Sequence, residues 1–230
     1  MREIIPAILP ATFDELVSHL ERVKGFARAV QIDVVDGVFA PMATWPYRDR
    51  DSFERILREE EGMPQWEDFE FEVDLMVEAS KEAALEWVRA GASRIVIHIE
   101  SPDDRGALEA LQIYREGEAS VEVGLAISLD TPIEKLDSLA HLGSFIQVMG
   151  ISHIGKQGEP FDSRTLARVR EMRDRFPSHI ISVDGGVDDI TGPALVEAGA
   201  SRLVAGSFIF EGDAKENYRI LRTTVNAHTQ

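Results

Sequence analysis

Three aspartates stand in surroundings where a carboxylate is costly. Asp74 lies inside the apolar run Val73-Asp74-Leu75-Met76-Val77, and Asp33 follows an isoleucine in Gln31-Ile32-Asp33-Val34-Val35-Asp36-Gly37. Asp184 ends Ser182-Val183-Asp184 and opens the turn Gly185-Gly186. An ionised carboxylate taken out of water needs a partner or a task. Two glycine turns, Asp184-Gly185-Gly186 and Ala205-Gly206-Ser207, suit an anion. Glycine lets main-chain N–H groups approach an anion closely, and a short helix expected after Ser207 would add its dipole. A third segment, 149–158, carries Gly155, Lys156 and Gly158 and reads as a loop that closes over a ligand, with Lys156 or main-chain amides on a phosphate. Each feature also has a plainer reading: Asp36-Gly37 and Asp184-Gly185-Gly186 as simple turns, Asp74 paired with an arginine, and 149–158 as a surface loop.

What could bring these residues together is an alternation that runs the length of the chain. Strand-like apolar runs fall at 4–9, 30–34, 69–77, 94–99, 121–127, 145–149, 180–183 and 202–205. Several are continuously apolar, as strands buried on both faces should be. Helical patterns lie between them. Thr12-Phe-Asp-Glu15 predicts a capping box before Leu16, Leu20 and Val23, and Thr131-Pro132-Ile-Glu134 predicts a second, with Pro132 in the first turn. Leu166, Val169, Met172 and Phe176 recur at helical spacing. Two near-identical junctions, Arg89-Ala-Gly91-Ala-Ser and Glu197-Ala-Gly199-Ala-Ser, predict helix ends closed by a left-handed glycine. The segment 42–68 is the least regular, with one short helix expected around 53–58, and a last helix is expected near 215–225.

Eight strands alternating with eight helices predict a single (β/α)8 TIM barrel domain over 1–230. A doubly wound sheet is the alternative, but the segment after the first strand, Pro6-Ala7-Ile-Leu-Pro-Ala11, is no dinucleotide fingerprint. In a parallel barrel the C-terminal strand ends carry the site, and loops after strands seven and eight often hold phosphate. A small phosphorylated molecule is therefore the expected ligand. Gln31 and Asp33, two residues apart, are expected to face the mouth together.

The formal net charge of −17 argues against nucleic acid or an anionic membrane as partner, since both demand lysine and arginine clusters. The absence of cysteine excludes disulfides and cysteine-ligated zinc. Nothing resembles a membrane span or a signal peptide, so a cytoplasmic location is expected. No feature calls for an organic cofactor.

Taken together, Pro6-Ala-Ile-Leu9, Asp33-Val-Val-Asp-Gly37, Asp74-Leu-Met-Val-Glu78, His98-Ile-Glu100, Val148-Met149, Val183-Asp-Gly-Gly-Val187 and Ala205-Gly-Ser207 resemble the ribulose-phosphate 3-epimerase family, over about residues 4–210. The resemblance implies an isomerase that inverts one carbon of a ketose phosphate through an enediolate. It places the two proton-transfer carboxylates at Asp33 and Asp184, methionine sulfur beside the intermediate at Met76 and Met149, and phosphate contacts at Gly155, Gly185, Gly186, Gly206 and Ser207. It also implies a divalent metal held by Asp33, Asp184 and two histidines, and assembly into homo-oligomers.

The sequence departs from that pattern at several places. Gln31 and Asp74 stand at the two histidine positions, so a metal bound here would be Mg²⁺ or Mn²⁺ rather than Zn²⁺ or Fe²⁺. Val35 replaces a third methionine, Ala7 a substrate-contacting serine, and Ser128 an asparagine. The family's usual Pro-Gly-Phe-Gly-Gly loop has become His153-Ile-Gly155-Lys156-Gln-Gly158, and the segment between strands two and three is longer by roughly ten residues, with 42–68 open to reading as a lid or an interface. Two other readings stay open. One is a phosphosugar-binding barrel without catalysis or with another specificity; the other is lyase or decarboxylase chemistry, against which stands the lack of a lysine in 31–36 and 74–78.

Overall fold

The computed structural model describes residues 2–115 and 121–227. Eight parallel strands follow one another around a closed barrel: β1 (Glu3–Ile8), β2 (Ala29–Val35), β3 (Glu70–Met76), β4 (Arg94–His98), β5 (Glu122–Ile127), β6 (Phe145–Met149), β7 (Ile180–Asp184) and β8 (Arg202–Ala205), which pairs back with β1. Closure excludes the open doubly wound sheet. Every expected strand is present, with bounds within one residue, because the continuous apolar runs are what a strand covered on both faces requires.

The helices are α1 (Phe13–Val23), α2 (Arg50–Leu57), α3 (Ser80–Arg89), α4 (Asp104–Arg115), α5 (Arg164–Arg175), α6 (Thr191–Ala198), the single turn α7 (Ser207–Phe210) and α8 (Ala214–Ala227). Thr12 caps α1, its hydroxyl accepting from the Glu15 N–H at 3.2 Å, while the Glu15 carboxylate reaches back to the Ala11 N–H at 2.7 Å. One phase of each strand packs outward against the helices: Ile32, Val34, Val73, Leu75, Ile95 and Ile97 join Leu16, Leu20, Trp87 and Leu108 in the main core. The alternate phase fills the barrel. Gly91 and Gly199 end their helices at φ +97° and +118°, as the repeated junction predicts. Among the described residues, no helix is long and apolar enough to cross a membrane.

The fifth unit corrects the sequence reading. After β5 the chain forms two short 3₁₀ turns, Ile133–Ser138 and Ala140–Leu142, in place of an α-helix, with no side-chain cap. The Thr131 hydroxyl donates to Glu100 from the preceding βα loop instead of capping its own segment. The side chain is turned to a partner distant in sequence and caps no N–H of its own segment.

The irregular 42–68 stretch is anchored by aromatic packing. Trp45, Phe53 and Trp87 are fully buried, with ring centroids 4.7–5.4 Å apart, and the Trp45 indole N–H donates to the Ser52 hydroxyl at 2.7 Å. At the barrel floor, Arg94 and Arg202 converge on Glu3 at 2.9 and 2.8 Å, and Arg202 donates to Glu72 at 3.3 Å with its guanidinium over the Phe145 ring. Burial pushes the Glu72 carboxyl up to about 7 against the pull of both arginines. The barrel's arginines are thus engaged with Glu3 and Glu72, two residues below Asp74 on the same strand.

Candidate active site

Alternation along β2 brings Gln31 and Asp33 to the interior, and alternation along β3 does the same for Glu72, Asp74 and Met76. β7 contributes Asp184 as its last residue. One ligand oxygen each from Asp33, Asp74 and Asp184 lies within 4.8 Å of the others, and all three residues are buried. Asp74 does not meet an arginine. It accepts from the Gln147 Nε2 at 3.0 Å and lies 2.9 Å from the His98 Nε2.

Two carboxamides tie the cluster together. The Gln31 Nε2 donates to Asp33 Oδ1 at 2.8 Å and to Asp184 Oδ2 at 2.7 Å. Gln147, from β6, donates to Asp184 Oδ2 at 3.4 Å as well as to Asp74. The carbonyl oxygens of both side chains are buried without a partner. Gln147 escapes a reading of the sequence that looks only for charged residues. Its signal is there: a polar side chain in phase with Phe145 and Met149 in an otherwise apolar strand.

The electrostatics follow from burial. Loss of water raises the Asp33 carboxyl well above the usual range, and the neighbouring Asp184 and Asp74 raise it further, against the Gln31 hydrogen bond. Asp184 is pushed up to about 7 by burial first and then by Asp74, with Gln31 and His98 opposing. Burial works against a protonated His98, yet the charge and hydrogen bond of Asp74, with help from Glu100, raise it above the ordinary imidazole value. Phe39 covers the His98 ring edge-on at 5.4 Å. Burial and mutual repulsion thus make the Asp33–Asp184 pair hold protons more tightly than free aspartates do.

Asp33, Asp184, Met76 and Met149 line one cavity with Gly185, Gly186, Gly206 and Ser207. Gly185 and Gly186 take φ values of +99° and +66°, and a Cβ on Gly186 would lie 2.8 Å from Phe161. The turn is thereby reserved for glycine, and its backbone faces the cavity bare. Lys156, Gln157 and Gly158 cover the cavity from the loop after β6, and Gln157 Nε2 donates to the Ala7 carbonyl at 3.1 Å. Gly155 also lines it, but its nearest approach is to Ala40, 2.8 Å from where a Cβ would be, so it seats the loop against the β2 end. Closed in this way, the cavity holds about 40 Å³, room for little more than water.

Asp36 has a different place. Its carboxylate accepts from the N–H groups of Val38 and Phe39 and, across the mouth, of Glu78, each at 2.8 Å. It fixes the loop after β2 to the loop after β3, as the turn reading of Asp36-Gly37 anticipates.

Fold and mouth define a class: a (β/α)8 barrel with buried carboxylates and glycine turns sharing one cavity at the C-terminal ends of its strands. Within that class, the chain belongs to the ribulose-phosphate 3 epimerase family, which it matches over residues 3–210. The ribulose-phosphate 3-epimerase of Treponema pallidum (strain Nichols) is 31% identical over 214 residues, 91% of each chain. That of Bacillus subtilis (strain 168) is 27% identical over 224 residues, 94% of this chain and 96% of the relative. Relatives so named are isomerases acting on carbohydrates. Among solved structures, the 3-keto-L-gulonate-6-phosphate decarboxylase of Vibrio cholerae superposes with a TM-score of 0.73 at 12% identity, covering 100% of each chain. The 3-hexulose-6-phosphate synthase of Salmonella typhimurium gives 0.71 at 15% identity, covering 99% of this chain and 100% of that one. At such identities the likeness concerns the fold.

Proposed function

We propose that this chain, as one barrel domain over 1–230, is an isomerase that inverts the carbon next to the ketone of a ketose 5-phosphate. The observation that carries the reading is the Asp33–Asp184 pair, two buried carboxyls on well-separated strands that share one cavity with the glycine turns. A pair that keeps one proton at neutral pH is what two-sided proton transfer needs, since one member must be an acid while the other is a base. Asp33 takes the proton from carbon 3, and the bonding electrons pass into the ketone to give an enediolate. Asp184 then delivers its proton to the opposite face of the same carbon. The pair ends with its proton on Asp33, ready for the reverse reaction.

The phosphate is held by main-chain N–H groups of Gly185, Gly186, Gly206 and Ser207, which suits an anion inside a protein of net charge −17. Met76 and Met149 give the planar intermediate a polarisable, apolar lining. The 150–160 loop, which supplies Gly155 to Glu159 to the cavity wall, would cover the bound sugar phosphate during reaction. Among the described residues lining the cavity the one lysine is Lys156, on that loop. This disfavours lyase or decarboxylase chemistry, which would place a lysine beside the carboxylates of β2 and β3.

Asp33, Asp74 and Asp184 fit a hard divalent ion such as Mg²⁺ or Mn²⁺ better than Zn²⁺ or Fe²⁺, because every donor is oxygen; the Gln31 carbonyl oxygen would join them only if its carboxamide turned over. Such an ion would supply Lewis-acid stabilisation of the developing enediolate.

The test is incorporation of solvent deuterium at carbon 3 when ribulose 5-phosphate is turned over. Asp33→Asn is expected to abolish exchange while phosphate-ligand affinity stays within about tenfold, or ~1.4 kcal/mol. Exchange unchanged in that variant removes Asp33 from the mechanism, and binding without exchange in the native chain leaves a phosphosugar-binding barrel.

A further inference from the structure

The carboxylate cluster is held closed by side-chain NH₂ groups in the places where a cation would bind. Three buried carboxylates sit within 4.8 Å of one another, and the Nε2 atoms of Gln31 and Gln147 each bridge two of them. The NH₂ group of a carboxamide is the positive end of its dipole, and each of its two N–H bonds can serve one carboxylate. The other end of each amide, Oε1, is buried with no hydrogen-bond partner, although both residues are fully buried. A buried carbonyl left unsatisfied is costly, and it signals a second state in which the oxygen has something to bind.

We propose that Gln31 and Gln147 are built-in counter-ions of the three-aspartate site, and that a hard divalent cation binds by displacing their NH₂ groups from the carboxylates. Once displaced, the two amides act differently. Gln31 bridges Asp33 and Asp184 from between them on the inner face of the barrel. Half a turn of its carboxamide exchanges donor for acceptor and adds an oxygen ligand. Gln147 reaches Asp74 at 3.0 Å and Asp184 only at 3.4 Å. It is a competitor of the ion, whose displacement costs binding energy. The three carboxylates thus have two sets of partners, the amide NH₂ groups in one form and a cation in the other. Histidines could not serve in this way, since a neutral imidazole offers one N–H and cannot turn an oxygen toward a metal.

This inference rests on the hard-ion donor set proposed above, but its readout is ion binding and needs no substrate. Mn²⁺ affinity is measured on the whole chain by calorimetry or electron paramagnetic resonance, together with thermal melting with and without Mn²⁺. Gln147→Met keeps the bulk and removes the NH₂. It is expected to raise Mn²⁺ affinity by about tenfold, ~1.4 kcal/mol, and to lower the melting temperature of the ion-free protein while leaving that of the Mn²⁺-saturated protein close to the native value. Gln147→Glu has the shape of the native side chain and adds a fourth carboxylate; it is expected to raise affinity further, and Mn²⁺ should restore its fold if the ion-free variant is too unstable to melt cooperatively. Gln31→Leu lowers ion-free stability without any gain in affinity, because it removes a ligand along with a competitor. A purely structural role would lower both melting temperatures alike. Affinity unchanged or weakened in both Gln147 variants, or no Mn²⁺ binding by the native chain and these variants at millimolar concentration, overturns the proposal. Those outcomes leave the two-aspartate exchange assay untouched, and loss of exchange with Mn²⁺ competition intact would sink the proposed reaction alone.

Discussion

Asp184→Asn should alter the pH dependence of stability in a direction set by burial. The native carboxyl is moved from an ordinary 3.8 to about 7, chiefly because folding strips it of water beside Asp74. With the folded value above the unfolded one, its stabilising contribution is complete below pH ~4 and is lost as pH rises to about 7. At about 1.4 kcal/mol for each tenfold change in proton affinity, that loss amounts to as much as about 4 kcal/mol. Asparagine keeps the shape and an acceptor for Gln31 but does not titrate. Its removal of charge also relieves Asp33, whose carboxyl Asp184 helps to raise. Urea denaturation of chelator-treated protein should show native stability falling from pH 5 to pH 7.5, and a markedly flatter profile in the variant. The variant should gain on the native chain across this range and be the more stable of the two at pH 7.5. Equal slopes, or native stability that climbs over this range, would refute the burial argument.

The loops and helix ends supply two further expected outcomes. Gly91→Ala meets no atom within 4 Å but must hold φ +97°, so it should cost about 1 kcal/mol of backbone strain; Gly199→Ala, in the same sequence context, also drives a Cβ to 2.9 Å from Arg173, which donates to the Gly199 carbonyl, and should cost about 2–3 kcal/mol. Equal thermal shifts would contradict this difference. Gln157→Ala removes the hydrogen bond to Ala7 and should speed amide hydrogen exchange of the 150–160 loop about fivefold, for a bond of ~1 kcal/mol; no change would mean that the contact does not hold the loop.

The strands were legible because burial on both faces forces continuous apolar runs, and Asp33, Asp74 and Asp184 stood out because each interrupts or ends one. What lies beyond sequence range is partner choice across space. Asp74 pairs with His98 and Gln147 from two other strands, while the arginines that might have met it are drawn to Glu3 and Glu72. The expected cap at Thr131 failed for a similar reason, its side chain being turned to Glu100, a partner distant in sequence. Gly155 reads as a phosphate glycine by its place in a loop; it lines the cavity, and sequence could not show that Ala40, from the loop after β2, packs against it. Gln147 was hidden because an apolar run does not reveal which of its two phases points inward.

Two carboxyls that address one carbon from opposite faces are the centre of the proposed mechanism. The most direct measurement is the early turnover of ribulose 5-phosphate in D₂O, followed at carbon 3 by NMR. The expected product carries one deuterium while the remaining substrate carries none, since separate groups remove and return the proton. Deuterium accumulating in the substrate as fast as in the product, or a product free of label, would contradict it.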